Sequence, residues 1–405
     1  TATTLVLQES NALYKSDDEN AAGRTVKQIA SIKELHALQA LSSQHVTLRP
    51  GRYTIGVDSG IAWPNASCTK HGTKHAALFN FSGSDNVYVL RGVSIEFDVK
   101  VLKQYPCLHG PHGIGSVLGG NRNVWLGLQW RDVAPLDGSH DEGGFFPGSG
   151  TTFVLQGRGH VLDGVSILLR GSGTYGFGAL YGKGKNNDLP GVLKSKRALL
   201  SIVGAADSVI RNALLDNSAF GHVVNIHDKA ADQANLPHTN NLTFINVTTI
   251  GEVRTTDDLL QHGVGGVDRH GVPFRVTFNR TTYAGSDGAG IAGAKGQAAF
   301  ASVFRRNMDR TDHCVGPIAT GKAFALTEDG FRNYDHVGLV TLINCTAIQT
   351  RCGICLMSAP PVDPSLHSGA IVDGLTVRSV APHGWAACDV GESNVPHPEL
   401  GESFQ

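Results

Sequence analysis

A short phrase of apolar and polar positions returns along the chain. It reads V-L-R-G-V-S-I at 89–95, V-L-D-G-V-S-I at 161–167, V-I-R-N-A-L-L at 209–215, L-I-N-C-T-A-I at 342–348 and I-V-D-G-L-T-V at 371–377. T-F-I-N-V-T-T at 243–249 is a looser copy. Each copy holds an apolar pair, a polar or charged residue and a small residue, then alternates. Alternation with a period of two divides side chains between the faces of a strand, and the central Gly or Asn supplies a turn. Copies recur at irregular intervals, the tightest from Leu342 to Ile371. Imperfect repeats of this kind imply stacked supersecondary units. No helical period fills the intervals, which excludes leucine-rich and ankyrin arrays. The long intervals disfavour a sandwich of hairpins. The expected fold is all-β: one parallel β-helix domain over 1–405, with coils from about 45 to 390 and insertions collecting as loops on one face.

One segment breaks the period of two. Ser31 and Glu34 form a capping box, and Ile32, Leu35, Leu38 and Leu41 follow at helical spacing. A helix over about 28–42 is predicted to cap the N-terminal end, shielding a sheet edge ahead of the first strand. H-V-T-L-R-P-G-R-Y-T-I at 45–55 then reads as strand, Pro50-Gly51 turn, strand.

Composition narrows the function. The 41% hydrophobic fraction suffices for a large core, and 50 glycines without a Gly-X-Y period fit many tight turns. A net charge of −1 gives no global attraction to nucleic acid or a membrane surface, and no apolar run is long enough to span a bilayer. Neither is expected as a partner. The chain begins at Thr1, as a processed terminus would. Sequons begin at Asn65, Asn241, Asn246, Asn279 and Asn344, which is compatible with a secreted protein. Of the seven cysteines, Cys352 and Cys355 have metal-ligand spacing, but no second pair completes a zinc site. They read as core cysteines or a disulfide.

The runs that interrupt the repeat carry the chemistry. G-S-G-T-Y-G-F-G-A-L-Y-G-K-G-K at 171–185 follows the second copy, N-S-A-F-G-H-V-V-N-I-H-D-K-A at 217–230 follows the third, and G-E-V-R-T-T-D-D-L-L-Q-H at 251–262 follows the looser copy. L-T-E-D-G-F-R-N-Y-D-H at 326–336 precedes the next. In a solenoid, segments at one point of successive coils lie side by side, so Tyr175, Tyr181, Lys183, His222, Glu252, Arg254 and Arg332 are expected to share one face. Tyrosine, lysine, arginine and histidine along a groove suit an acidic polymer. They also suit β-elimination at a uronate: cations stabilise charge on the carboxylate as the C5 proton leaves, and Tyr or His act as base and acid. Singly, each residue has a plainer reading. Tyrosines between glycines pack, a lysine is solvated, His222 lies in an apolar run, and Arg254 pairs readily with Asp257 or Asp258. A hydrolase using paired carboxylates at Asp257/Asp258 or Glu328/Asp329 is the second reading. A non-catalytic adhesin is the third.

The ordered motifs G-S-x-T-Y-G-F-G-x-L-Y-G-K-G, F-G-H, G-E-V-R-T-T-D-D-L-L and E-D-G-F-R-N-Y, over roughly 150–350, resemble right-handed parallel β-helix polysaccharide lyases, nearest to the alginate lyase family 31 type. The resemblance implies a tyrosine acid/base, Tyr175 or Tyr181, with Lys183 and Arg254 holding the uronate carboxylate. Lys194 and Lys196 are reserve candidates for the family lysine. With His222 added to the catalytic set, Lys196, Glu252, Asp258, His262 and Arg332 complete the expected substrate contacts. The expected activity is elimination on an acidic polysaccharide, alginate ahead of glucuronan or a glycosaminoglycan. No metal or cofactor is called for.

Overall fold

The computed structural model describes residues 23–62, 77–98, 114–133, 152–169, 198–217, 222–228, 233–251, 264–267, 273–278, 289–292, 327–333, 337–348, 350–357, 369–378 and 388–391. The chain enters through β1 (Thr25–Ile29) and α1 (Ile32–Leu38). Three strands follow: β2 (Gln44–Leu48), β3 (Gly51–Ile55) and β4 (Ala77–Phe81). The trio returns as β5 (Val87–Val89), β6 (Val93–Asp98) and β7 (Ile114–Leu118), and then as β8 (Val124–Leu126), β9 (Gln129–Val133) and β10 (Thr152–Arg158). After β11 (Val161–Asp163) and β12 (Ser166–Leu169), the long β13 (Leu200–Arg211) ends one trio and begins the next, which continues with β14 (Leu214–Asn217) and β15 (His222–His227).

β16 (Asn240–Ile245) and β17 (Thr248–Ile250) come next. A separate antiparallel sheet intervenes, made of β18 (Val264–Val267), β19 (Pro273–Phe278) and β20 (Ala289–Ala292). The trio is then completed by β21 (Thr327–Asn333). β22 (Leu339–Ile343), β23 (Thr346–Ile348) and β24 (Thr350–Met357) follow, then β25 (Gly369–Asp373), β26 (Thr376–Arg378) and β27 (Cys388–Gly391).

Members of successive trios pair in parallel. The first members run β1-β2-β5-β8-β11-β13-β16-β22-β25, the second β3-β6-β9-β12-β14-β17-β23-β26, and the third β4-β7-β10-β13-β15-β21-β24-β27. β13 serves the first and third stacks with its two halves, which joins them into one sheet. β2 and β3, adjacent in sequence, do not pair with each other; each takes a partner in the next trio. The result is an all-β, parallel architecture in which each trio contacts its neighbours. Its core gathers Val46, Tyr88, Trp125, Leu162, Ile210, Phe244 and Leu342 from the first stack with Ile95, Trp130, Ile167 and Leu215 from the second and Phe153, Leu200, Val224 and Phe331 from the third.

Two of the three junctions between stacks are tight as far as β13; beyond it the one from third stack to first lengthens, from His227 to Asn240 and from Met357 to Gly369. From first stack to second, Gly92, Gly127, Gly164, Asn212, Asn246, Asn344 and Gly374 hold φ between 49° and 78°. Gly, and after it Asn and Asp, adopt this left-handed region more readily than other residues, which is why the repeated phrase carries Gly or Asn there. V-W-L-G-L-Q-W at 124–130 is a further copy, with Leu126 in the place that Ile245 and Ile343 also fill with an apolar side chain. From third stack to first, a buried ladder links the trios: Gln44 N–H donates to Asn86 Oδ1 (2.8 Å), Asn86 N–H to Asn123 Oδ1 (2.8 Å), Asn123 N–H to His160 Nδ1 (3.3 Å) and His160 N–H to Ser208 Oγ (3.2 Å). Beside it, Gly83, Gly120 and Gly157 each pass so close to the preceding trio that a Cβ would lie 1.8–2.0 Å from the carbonyl oxygen of Leu41, Gly83 or Gly120 respectively.

The N-terminal helix departs from expectation in two ways. Ser31 Oγ accepts from Glu34 N–H and Glu34 Oε2 reaches back to Ala30 N–H, the capping box as read. The helix nevertheless spans only Ile32–Leu38, with Ile32 and Leu35 buried, and Leu41 lies beyond it, 45% exposed. The residues before it form β1, which pairs with β2. The helix therefore sits between the first two strands of the stack. The extended Thr25–Ile29 run, with its β-branched Thr and Val, follows the sheet's pairing and not the helical period.

Candidate functional site

The third junction, from second stack to third, is where the chain departs furthest. It leaves β12 at Leu169 and returns at β13 with Leu200, and it leaves β17 at Ile250 and returns at β21 with Thr327. β12 and β17 are separated in their stack by β14 alone. Tyr175, Tyr181, Lys183, Lys194 and Lys196 belong to the first of these excursions, and Glu252, Arg254, Asp257, Asp258 and His262 to the second. All ten lie outside the described residues. His222 and Arg332 are described: His222 begins β15, and Arg332 is the residue before the last of the neighbouring strand β21.

Each of these strands is fixed by its apolar residues. Val224 and Ile226 of β15 are core residues, and Phe331 of β21 meets Phe244 edge-on at 5.4 Å between ring centroids. Parallel pairing sets Val224 beside Phe331, Asn225 beside Arg332 and His222 beside Asp329. Gly330 is required by packing. A Cβ there would lie 2.7 Å from Thr249 Oγ1, 2.8 Å from the Gly353 carbonyl oxygen and 2.9 Å from Ala347 Cβ. In the run E-D-G-F-R-N-Y, glycine and phenylalanine thus have structural reasons, and Arg332 is the charged residue that follows them.

Arg332 Nη1 donates to His222 Nε2 at 2.6 Å. Both residues are buried, at 7% and 2% exposure. The donated proton occupies the Nε2 lone pair, so the neutral ring carries its own proton on Nδ1. The imidazole therefore orients the guanidinium without neutralising it, and a planar guanidinium held in one pose is suited to a carboxylate. His222 is itself pinned through its backbone. Its carbonyl accepts from Asn217 Nδ2 at 2.9 Å and from Leu199 N–H at 3.1 Å. Asn217, fully buried at the end of β14, thereby ties the second stack to the third. Sequence reading passed over Asn217 and Asn225. The available signal was an amide at a strand end before a four-residue connection, and an amide inside the apolar run H-V-V-N-I-H.

Elsewhere the polar groups serve the other two junctions. Asp228 Oδ2 holds His238 Nδ1 at 2.7 Å while its Oδ1 accepts Thr239 N–H, and Thr239 Oγ1 accepts Gly204 N–H. This network closes the connection from β15 to β16. Asp163 pairs with Arg211 at 3.1 Å and Asp85 with Arg122 at 2.6 Å, each between adjacent trios. The Arg122 guanidinium holds the Asp85 carboxyl below the usual range.

Among the described residues no three His, Cys, Asp or Glu side chains gather as a metal site, and no helix is long and apolar enough to cross a membrane. Cys345 is a free, buried thiol, pushed up to about 11 by burial. The side chains of Cys352 and Cys355 on β24 lie outside the described set. The chain matches no protein-family model and no curated protein sequence.

Proposed function

We propose that this chain is a secreted, single-domain, right-handed parallel β-helix that cleaves an acidic, uronate-containing polysaccharide by β-elimination, with alginate as the favoured polymer. The observation that carries the reading is the buried Arg332–His222 pair. It joins adjacent strands at the junction from which the segments bearing Tyr175, Tyr181, Lys183 and Arg254 depart. The return of the three-strand succession, each member pairing with its counterpart, supports the helical reading of the fold.

In this reading Arg332, Arg254 and Lys183 face the C6 carboxylate and stabilise the charge that develops as the C5 proton leaves. Tyr175 or Tyr181 takes that proton. The C4–O4 bond breaks, a C4=C5 double bond forms, and the departing O4 receives a proton from the acid. His222 acts as a positioning residue, because its Nε2 is engaged by Arg332. Lys196, Glu252, Asp258 and His262 line the remainder of the groove.

Mass spectrometry of the oligosaccharides released from alginate, glucuronan and glycosaminoglycans tests this directly. Elimination leaves each new non-reducing end one water lighter than hydrolysis would. Products carrying the full mass of hydrolysis would overturn the lyase reading and turn attention to Asp257, Asp258, Glu328 and Asp329.

A further inference from the structure

We infer that Asn225 is a further substrate-contacting residue of this site, its carboxamide oxygen accepting a hydrogen bond from a hydroxyl of the sugar whose carboxylate faces Arg332. The inference rests on the lyase reading for the identity of that sugar. Asn225 and Arg332 are register partners on the parallel strands β15 and β21, so their Cβ atoms lie on one side of the sheet at about the 4.8 Å strand spacing. Their neighbours along the two strands, Val224, Ile226 and Phe331, are core residues. Asn225 is half-buried and borders solvent, yet its Oδ1 is shielded and meets no donor among the described residues.

A buried acceptor without a donor is uncommon in a native protein, and a ligand hydroxyl satisfies it. Valine or threonine would suit a strand position better than asparagine does, so the strand itself gives no reason for the amide. A guanidinium and an amide oxygen one strand apart present a donor set beside an acceptor. A uronate offers the reverse, a carboxylate beside hydroxyls on one ring.

The test compares Asn225→Val with Asn225→Thr. Both are β-branched and similar in shape, but only threonine keeps an oxygen that can accept. With the polymer that the wild type cleaves best, Asn225→Val is expected to raise KM about threefold to tenfold, the worth of one neutral hydrogen bond, with kcat and melting temperature held. Asn225→Thr is expected to recover most of that loss. Equal KM for valine, threonine and wild type would overturn the inference while leaving the lyase reading intact. If the wild type forms no unsaturated product, the lyase reading falls, and affinity electrophoresis in gels containing alginate still tests Asn225. Retardation weakened by valine and restored by threonine would support the contact, and retardation unchanged by either, or absent from the wild type, would overturn it.

Discussion

Two junctions of the same trio are built on opposite principles. Between first and second stacks the chain turns on one left-handed residue, seven times over from Gly92 to Gly374. Between second and third stacks it closes within a few residues from Asn217 to His222 but runs from Ile250 to Thr327 before returning. A turn hydrogen-bonded to the trios above and below cannot change length without breaking the stack. A junction whose strands pair correctly whatever lies between them can. Structural need therefore fills the tight junctions with Gly, Asn and paired charges, while the open one is free of that constraint.

The largest effect is expected where the tight junctions are broken. Gly120→Ala would drive a methyl against the Gly83 carbonyl, at a cost of about 3 kcal/mol or more. A sharp fall in melting temperature, with normal kcat in the protein that still folds, is the expected result.

At the open junction the balance reverses. Arg332→Lys keeps the charge but loses the planar donor fork, and kcat/KM is expected to fall roughly a hundredfold, with a much smaller change in melting temperature than Gly120→Ala gives.

A third test is acid. His160 is fully buried in the ladder, and desolvation holds its pKa down to about 4 from an ordinary 6.5. The ring donates from Nε2 to the Gln156 carbonyl and accepts at Nδ1 from Asn123, so protonation breaks the ladder. Because the unfolded chain binds this proton more readily, stability is complete above pH 6.5 and falls as pH drops toward 4, by at most about 3 kcal/mol. Denaturant titrations of wild type and His160→Asn across that window should show the slope reduced in the variant. The mildest expectation concerns Cys345, buried with its thiol pKa raised to about 11. Its labelling by an alkylating reagent at neutral pH, read by peptide mapping, should stay slow until the protein is unfolded.

What the sequence made legible follows the same division. The strand phrases were readable because each combines a core-facing alternation with a residue able to turn left-handed. Four of the six copies lie as read; in the other two, Val87-Tyr88 and not Val89-Leu90 pairs with Val124-Trp125, and Thr341 and not Leu342 pairs with Thr243 and Ile371. The copy at 124–130 went unread although Leu126, its residue before the turn, has buried apolar counterparts in Ile245 and Ile343. Three sequons have a structural origin as well. Asn241, Asn246 and Asn344 occupy left-handed turn positions, the next residues, Leu242, Val247 and Cys345, are buried, and a strand threonine follows. The tripeptide is what a tight junction of this fold requires. α1 was announced by its cap, but its start was misread because pairing with β2, which no local pattern reveals, draws Thr25–Ile29 into the sheet. At the open junction, sequence order placed His222 and Arg332 on the same list. Their contact depends on the register of β15 and β21, and no spacing in the chain encodes it.

The proposed elimination across a uronate linkage at the open junction, with Arg332 on the carboxylate, has one direct test. Ultraviolet absorbance of the unsaturated product and the yield of reducing ends should be followed together, for wild type and Arg332→Lys, on native and carboxyl-reduced alginate. Both signals should rise in step with wild type on the native polymer. Both should fall roughly a hundredfold in the variant and be lost on the reduced polymer. Reducing ends without absorbance, or a variant as fast as wild type, would contradict the proposed elimination.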